Sequence, residues 1–327
     1  MSTSTVITKT NERKRLRFVF LKENLGILVA LAVMCIGLSI YSDVFLTQNN
    51  ILNVLRQTST NLIIACGMTM VIILGGIDLS VGSIIALSGC VTGGLIAYNG
   101  VPLPLAVLAG LLAGTLTGAF NGLIIARTTI PAFIVTLGTM NMARGLAYVY
   151  TGGQPIRIIN ENFNFIGAGY VGALPAPVIY LVVILVISIL IMNNTRLGRH
   201  IYAVGGNPQA ARFSGIKIDR IKFFVHTFSG LMSAIAGIIL ASRMFSGQPT
   251  AGTGAEMDAI AAVVVGGTSM SGGIGRIGGT IIGALIIGVL NNGLNLMNVN
   301  SFWQYFVKGA VILLAVYIDY IKKRRAP

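Results

Sequence analysis

VIYLVVILVISILIM (Val178–Met192), NNTRLGRHIYAVGGNPQAARFSGIKIDRIK (Asn193–Lys222) and FFVHTFSGLMSAIAGIILA (Phe223–Ala241) follow one another directly in the chain. The first and third are the centres of membrane spans, apolar along most of the ~20 residues needed to cross a ~30 Å hydrocarbon layer. The second carries six of the chain's 23 Lys and Arg residues: Arg196, Arg199, Arg212, Lys217, Arg220 and Lys222. Basic residues gather in the short loops that stay on the cytoplasmic side, so this loop is expected there. Within it, Gly205-Gly206-Asn207-Pro208 reads as a turn into a short helix. Proline takes the first helical position, where its missing N–H costs nothing. Gln209-Ala210-Ala211-Arg212-Phe213-Ser214 continues that helix to a stop at Gly215. One or two amphipathic turns lying along the membrane make a shape that a soluble partner grips; an ordinary solvated loop is the plainer alternative.

Composition extends the reading to the whole chain. Apolar residues make up 54% of the sequence and charged residues 10%, with a mean hydropathy of +0.83. A soluble domain carries about 25% charged residues. The fold class is therefore an all-α polytopic membrane protein. Spans are expected at 24–42, 56–75, 80–98, 103–126, 131–150, 176–193, 221–242, 257–270, 276–296 and 303–320. The eighth, EMDAIAAVVVGGTSM, is short and polar-edged, which also suits a re-entrant segment. The expected layout is a basic tail (1–23), one transmembrane domain (24–321, with the cytoplasmic loop 193–222 inside it) and a second basic tail (322–327). The first span is too long for a signal peptide and has no small-residue cleavage site, so it reads as an uncleaved anchor.

The net charge of +14 raises nucleic acid as a partner, but the positions of the charges argue against it. Eighteen of the 23 basic residues lie in the N-terminal tail (Lys9, Arg13, Lys14, Arg15, Arg17, Lys22), the central loop, the C-terminus (Lys322, Lys323, Arg324, Arg325) and two short connections at Arg127 and Arg276. Ten crossings put all of these on one side, with both termini cytoplasmic. The charge is an orientation signal beside membrane lipid. The outer loops, Thr151–Pro175 and Phe245–Glu256, hold few basic residues.

Glycine carries the next layer of information, at 41 of 327 residues. Gly110, Gly114, Gly118 and Gly122 recur every four residues, a bare ridge about 18 Å long on one helix. Such ridges let helix backbones approach closely where the apolar solvent supplies no drive. Gly279 and Gly283 repeat the device. Tight packing within the chain is the expected use, a dimer face the alternative. Two Gly-rich interruptions, Leu74–Ser83 (LGGIDLSVGS) and Val265–Gly273 (VGGTSMSGG), each follow an apolar run and precede a small-residue helix, which suggests an internal repeat. In the first, Gly75 and Gly76 shape the loop, and Asp78 or Ser80 is placed to cap the helix starting near Val81. A carboxylate there also suits an ion. Cys35, Cys66 and Cys90 fall in apolar spans and read as packing residues.

No catalytic constellation is visible. G-x-x-x-x-G-K-[ST], HExxH, GxSxG and metal-spaced Cys/His sets are all missing, so neither metal nor cofactor is expected. His200 and His226, in or beside the basic loop, are expected to face solvent or lipid headgroups. Transport is what remains.

Four stretches carry a resemblance. GGIDLSVGS (Gly75–Ser83), NTRLGRHIYAVGGNPQAARFSGI (Asn194–Ile216), QPTAGTGAEMDAIAAVVVGGTSMSGGIGRIGGTIIGALI (Gln248–Ile286) and NNGLNL (Asn291–Leu296) together resemble the permease subunit of bacterial monosaccharide ABC importers of the ribose type. The match spans nearly the whole chain beyond the basic tail, with several long motifs in order. It implies a permease homodimer in the bacterial plasma (inner) membrane, two cytoplasmic ATPase domains and an extracytoplasmic sugar-binding protein. ATP hydrolysis would then belong to a separate subunit. It also implies that the central loop holds the coupling helix, with Gly206, Asn207, Pro208, Ala210, Ala211, Arg212 and Gly215 at the ATPase contact.

A sugar path needs polar groups inside the spans, where they are costly and usually face the bundle interior or a wet route. The candidates are Asn61, Thr136, Asn141, Arg144, Asp258, Asn291, Asn292 and Asn295; interhelical hydrogen bonds are the alternative use for each. Thr136, Met140 and Arg144 share one helix face. Arg144 needs an anion at depth, and Asp258 is the expected partner. An ion-coupled secondary transporter of a small polar solute is the competing function; it would require a carboxylate relay, for which only Asp78 and Asp258 offer themselves. A membrane-bound enzyme or scaffold comes third.

Overall fold

The computed structural model describes residues 25–325, and each expected span coincides with a helix. The N-terminal basic tail (1–23) lies outside the described residues, as do Ala326 and Pro327. The chain opens with α1 (Leu25–Tyr41), α2 (Gln48–Ile73), α3 (Val81–Ala97), α4 (Leu103–Arg127) and α5 (Ala132–Thr151). There follow β1 (Ile156–Arg157), α6 (Glu161–Ala168), β2 (Tyr170–Val171), β3 (Leu174–Pro175) and α7 (Ala176–Asn194). Then come α8 (Arg196–Gly206), α9 (Pro208–Phe213), α10 (Ile218–Arg243), β4 (Ser246–Gly247), α11 (Ala255–Val265), α12 (Ile277–Leu296) and α13 (Ser301–Arg325). The protein is an all-α polytopic membrane protein; α4, α7, α10 and α12 are each long and apolar enough to cross a bilayer unaided.

α2 is the axis of the bundle. Every residue from Leu62 to Ile73 is buried, and a helix that is apolar all round must be surrounded. α7, α10, α11 and α12 supply that surround. The perimeter is oily instead: α4 exposes Leu105, Leu108, Leu112 and Leu116, and α7 exposes Val182, Val183, Val186 and Leu190.

The glycine ridge is used inside the chain. A methyl group at Gly114 would run into Ala234 and Ile84, and one at Gly118 into the His226 carbonyl and Gly230. α4 therefore lies backbone to backbone on α10 and α3. Gly279 and Gly283 press in the same way on the carbonyls of Gly266, just past the end of α11, and of Ala262 within it.

The two Gly-rich interruptions share one local geometry, as a repeat requires. α2 ends with Gly75 N–H donating to Ile72 O (2.9 Å) and Gly76 N–H to Val71 O (3.0 Å). α11 ends with Gly267 N–H donating to Val264 O (2.9 Å) and Thr268 N–H to Val263 O (3.1 Å). Gly75 (φ 85°) and Gly267 (φ 86°) take the left-handed conformation that only glycine adopts without strain. The 11 residues of α11 measure about 16 Å, half the layer. The chain then continues without helix until Gly273 N–H reaches Ile73 O (2.8 Å), level with the end of α2. Irregular backbone is tolerated at depth only where protein surrounds it.

The basic loop, 193–222, holds more helix than its sequence suggests. Thr195 caps α8, accepting from Gly198 N–H (3.2 Å), and Asn207 caps α9, accepting from Ala210 N–H (3.0 Å). Gly205 and Gly206, expected as a turn, form the last turn of α8. Gly205 sits so close to Ile73 O and Gly273 N that no side chain fits; the glycines serve a contact, not a bend. At the opposite end, β1 pairs antiparallel with β4, and Ser242 Oγ accepts from Gly167 N–H (2.7 Å). The 151–175 and 245–256 connections are thus stitched together, and α6 is tied to the end of α10.

Candidate translocation site and coupling surface

Six helices converge away from α8 and α9: the middle of α2, the first turns of α3, α11 and α13, and the last turns of α10 and α12. They leave a cavity of about 230 Å³. Its wall mixes polar side chains, among them Asn61, Asp258, Asn291, Asn295, Arg243 and Lys308, with the apolar Ile64, Ile85 and Leu240. Drug-sized ligands occupy clefts of roughly 300–1,000 Å³, so this one suits a smaller solute with many hydroxyls.

Asp258 anchors the wall. Lys308 Nζ lies 3.0 Å from each of its carboxylate oxygens, and Asn291 Nδ2 donates to Oδ2 at 3.4 Å. Asn295 Oδ1 accepts from Gln304 Nε2 (2.9 Å), tying α12 to the start of α13. The expected Arg144–Asp258 pair does not form. Arg144 Nη1 donates to Pro249 O (2.6 Å) and Ala251 O (2.7 Å), strapping the 245–256 connection down. The carbonyls, with the Glu256 carboxylate near enough for its charge to act on Arg144, offset the guanidinium; the expectation chose the wrong carboxylate and overlooked Lys308, which holds Asp258 from α13.

The other path candidates lie elsewhere. Thr136 braces the broken segment, accepting from Leu79 N–H (3.2 Å) and placed to donate to Ile77 O (3.1 Å). Asn292 forms a reciprocal amide pair with Asn50, at 3.0 and 2.8 Å. Asn141 is exposed and donates to Leu137 O on its own helix (3.0 Å).

Asp78 is fully buried and organises the first interruption. Its Oδ1 accepts from Ser80 N–H (3.0 Å) and Ser80 Oγ (2.6 Å), and its Oδ2 from Ser229 Oγ of α10 (2.7 Å). Asn121 Nδ2 of α4 donates to Ser80 Oγ (2.9 Å). Neither Asp78 nor Ser80 caps α3 in the expected sense: Ser80 stands at the cap without a side-chain bond to the helix. The carboxylate instead pins the loop to α10. His226, expected at the surface, is 1% exposed, with Nδ1 2.9 Å from Lys222 O one turn back. A single histidine on a largely apolar helix carries no signal that separates the two placements.

At the end that carries the basic loop, α8 buries Gly198, Ile201 and Val204 against the bundle, and Tyr202 Oη donates to Gly275 O in the second interruption (2.8 Å). Burial raises the Tyr202 pKa, against a weaker opposing pull from Arg276, so the phenol keeps the proton it donates. Gly206, Asn207, Pro208, Ala210, Arg212 and Gly215 are exposed on this face. Ala211 is not; at 4% exposed it packs into the core and supports α9 from behind. Sequence reasoning missed Phe213, which stands 92% exposed at the end of α9. An aromatic ring in a basic amphipathic turn was the available signal.

Residues 50–316 match the family described as the permease component of branched-chain amino acid transport systems. The chain belongs to this permease family. It is 50% identical to the ribose import permease protein of Bacillus subtilis over 310 residues, covering 94% of this chain and 96% of that one. With the ribose import permease protein of Escherichia coli K12 the identity is 49% over 296 residues, covering 89% and 92%. With the xylose transport system permease protein of the same strain it is 38% over 343 residues, covering 86% and 87%. No solved structure matches. As a member of this permease family the protein is a transport component, not an enzyme.

Proposed function

We propose that the chain is the membrane-spanning subunit of an ATP-binding-cassette importer for a monosaccharide, ribose in the first instance. The observation that carries this reading is the small polar cavity around Asn61, Asp258, Asn291 and Asn295 at one end of the bundle. The similarity to ribose import permeases supports the choice of sugar. Two copies of the chain assemble with two cytoplasmic ATPase domains, and a sugar-binding protein delivers the solute from outside. Both termini and α8–α9 face the cytoplasm. The cavity end then faces outward and receives the sugar.

A neutral sugar needs hydroxyl partners that release it readily. Amides of Asn61, Asn291 and Asn295 and the Asp258 carboxylate offer donors and acceptors; Lys308 balances Asp258, and Arg243 adds a further donor at the edge. α9, with Phe213 as its exposed anchor, enters a groove of the ATPase. α8 transmits the movement, since Gly205 touches the end of α2 and Gly273 together. A shift of α8 thereby reaches both broken helices at once. An ion-coupled carrier is disfavoured: Asp78 is taken up by Ser80 and Ser229, and Asp258 by Lys308 and Asn291, with no bond between the two sets.

The test is sugar specificity: the permease, reconstituted with its ATPase and binding protein, is offered a panel of pentoses and hexoses. ATP-dependent ribose uptake above the other sugars is the expected result. Uptake of another sugar alone would correct the substrate, and uptake without ATP would reject the importer.

A further inference from the structure

Asp78 is 0% exposed, and its hydrogen bonds come from neutral groups alone: Ser80 N–H, Ser80 Oγ and Ser229 Oγ. Among the described residues it forms no ion pair. Lys222 of α10, one turn before His226, donates its Nζ to Ile125 O on α4 (3.3 Å) instead. The N-terminus of α3, which opens at Val81, offsets roughly half a charge at most. A shielded anion without a full counter-charge is unfavourable.

Two neighbouring side chains lack a partner in the same sense. Ser80 Oγ gives its proton to Asp78, so it accepts from Asn121 Nδ2 (2.9 Å), and this fixes the orientation of the Asn121 amide. Asn121 Oδ1 is shielded from solvent and has no donor among the described residues. His226 Nδ1 lies 2.9 Å from Lys222 O, which can only accept, so Nδ1 carries the proton of the neutral ring and Nε2 is a bare acceptor. It too is shielded and has no donor among the described residues. A charged ring would leave a buried Nε2–H with nothing to bond, at the full cost of its desolvation. The Asp78 charge is near enough to act on His226. The first interruption, α4 and α10 thus bring together one buried carboxylate and two buried acceptors, and all three call for positive charge.

The chemistry of the set selects the ligand. Carboxylate, amide and hydroxyl oxygens suit hard cations. One carboxylate among neutral groups balances a single positive charge, not two. A water molecule would satisfy the acceptors and leave the charge of Asp78 as it is.

We propose that Asp78, Ser80 and Asn121 hold one alkali-metal cation, Na+ or K+, which joins the first interruption to α4 and, through Ser229 and His226, to α10. Broken membrane helices offer such ions their irregular backbone and chain ends. No second carboxylate is bonded to the set, so the ion is resident and not carried across. The site adds to the importer reading and does not depend on it.

The test melts the full-length permease in detergent, at constant ionic strength, in NaCl, KCl or N-methyl-D-glucamine chloride. Folded protein is read by fluorescence-detected size exclusion. Na+ or K+ is expected to raise the midpoint saturably, by about 3 °C or more over the organic cation, as a ligand of the folded state does. The salt that acts at the lower concentration names the ion. Asp78→Asn is expected to melt alike in all three salts. Asn121→Ala is expected to raise the concentration for half the effect at least about tenfold, as loss of a supporting group at a metal site does. Where Asp78→Asn fails to fold, Asn121→Ala decides. Equal midpoints of the unaltered protein in the three salts overturn the proposal and leave water as the donor to Asn121 and His226. A cation effect kept in full by Asp78→Asn, or unmoved in concentration by Asn121→Ala, overturns it too and places the ion elsewhere.

Discussion

Asp258 shows how a polar side chain is made tolerable in the bundle. Lys308 reaches it from α13, 50 residues later in the chain, and Asn291 supports it from α12. Removing one member of a buried ion pair leaves the other charge uncompensated, which costs more than the pair contributes. Lys308→Met should therefore destabilise the purified permease by up to roughly 3 kcal/mol, read from unfolding in detergent. Adding Asp258→Leu should recover much of that loss while leaving uptake impaired. Strictly additive losses would show that the two groups act independently. Phe213→Ala belongs to the same scale but has the opposite signature. The ring touches no core, so stability should hold while affinity for the ATPase falls about tenfold or more, as for a truncated interface anchor. Ala211→Trp, by contrast, should unfold α9, because its methyl group is buried. Asn61, Asp258, Asn291 and Asn295, four of the eight polar positions noticed in the sequence, line one cavity; amides and a carboxylate inside apolar runs are costly enough to stand out, but the sequence did not say which of the eight meet. It could not pair them: Lys308 lies in a span judged only by hydropathy, and the carbonyls that hold Arg144 leave no trace in residue type.

Among the elements, α4 was the most legible. Four glycines at a four-residue repeat describe one helix face, and the structure sets that face on α10 and α3. Gly118→Val should be among the most damaging single substitutions, since the added carbons meet the backbone of α10 at His226 and Gly230. Overpacking typically costs 1–3 kcal/mol, and this contact has backbone on both sides, so loss of folded protein in fluorescence-detected size exclusion is expected. Gly138→Val, with open space around it, should leave the elution profile unchanged. The broken helices were half legible. Glycine pairs announced the breaks at Gly75–Gly76 and Gly266–Gly267, but nothing local announced that Gly205 and Gly273 converge on Ile73. That is a contact between distant segments, and the Gly205–Gly206 pair consequently read as a turn when it ends a helix.

For the whole molecule, the ladder of apolar runs was enough to place ten helices, because a bilayer demands length and hydrophobicity at every crossing. Orientation rests on the basic residues. In a variant with Cys35, Cys66 and Cys90 replaced by alanine, a cysteine at Asn207 should resist an impermeant thiol reagent in intact cells, and one at Ala173 should react. The reverse pattern would invert the topology. The central claim is that this chain provides a sugar route through the cavity bounded by Asn61 and Asn291, and ribose uptake by proteoliposomes tests it most directly. With ATPase and binding protein present, the unaltered permease should show saturable, ATP-dependent uptake. Asn61→Leu and Asn291→Leu, assembled normally, should each reduce it at least about tenfold, since a polar site stripped of one hydrogen-bonding group rejects its ligand strongly. Undiminished uptake in both variants would contradict the account.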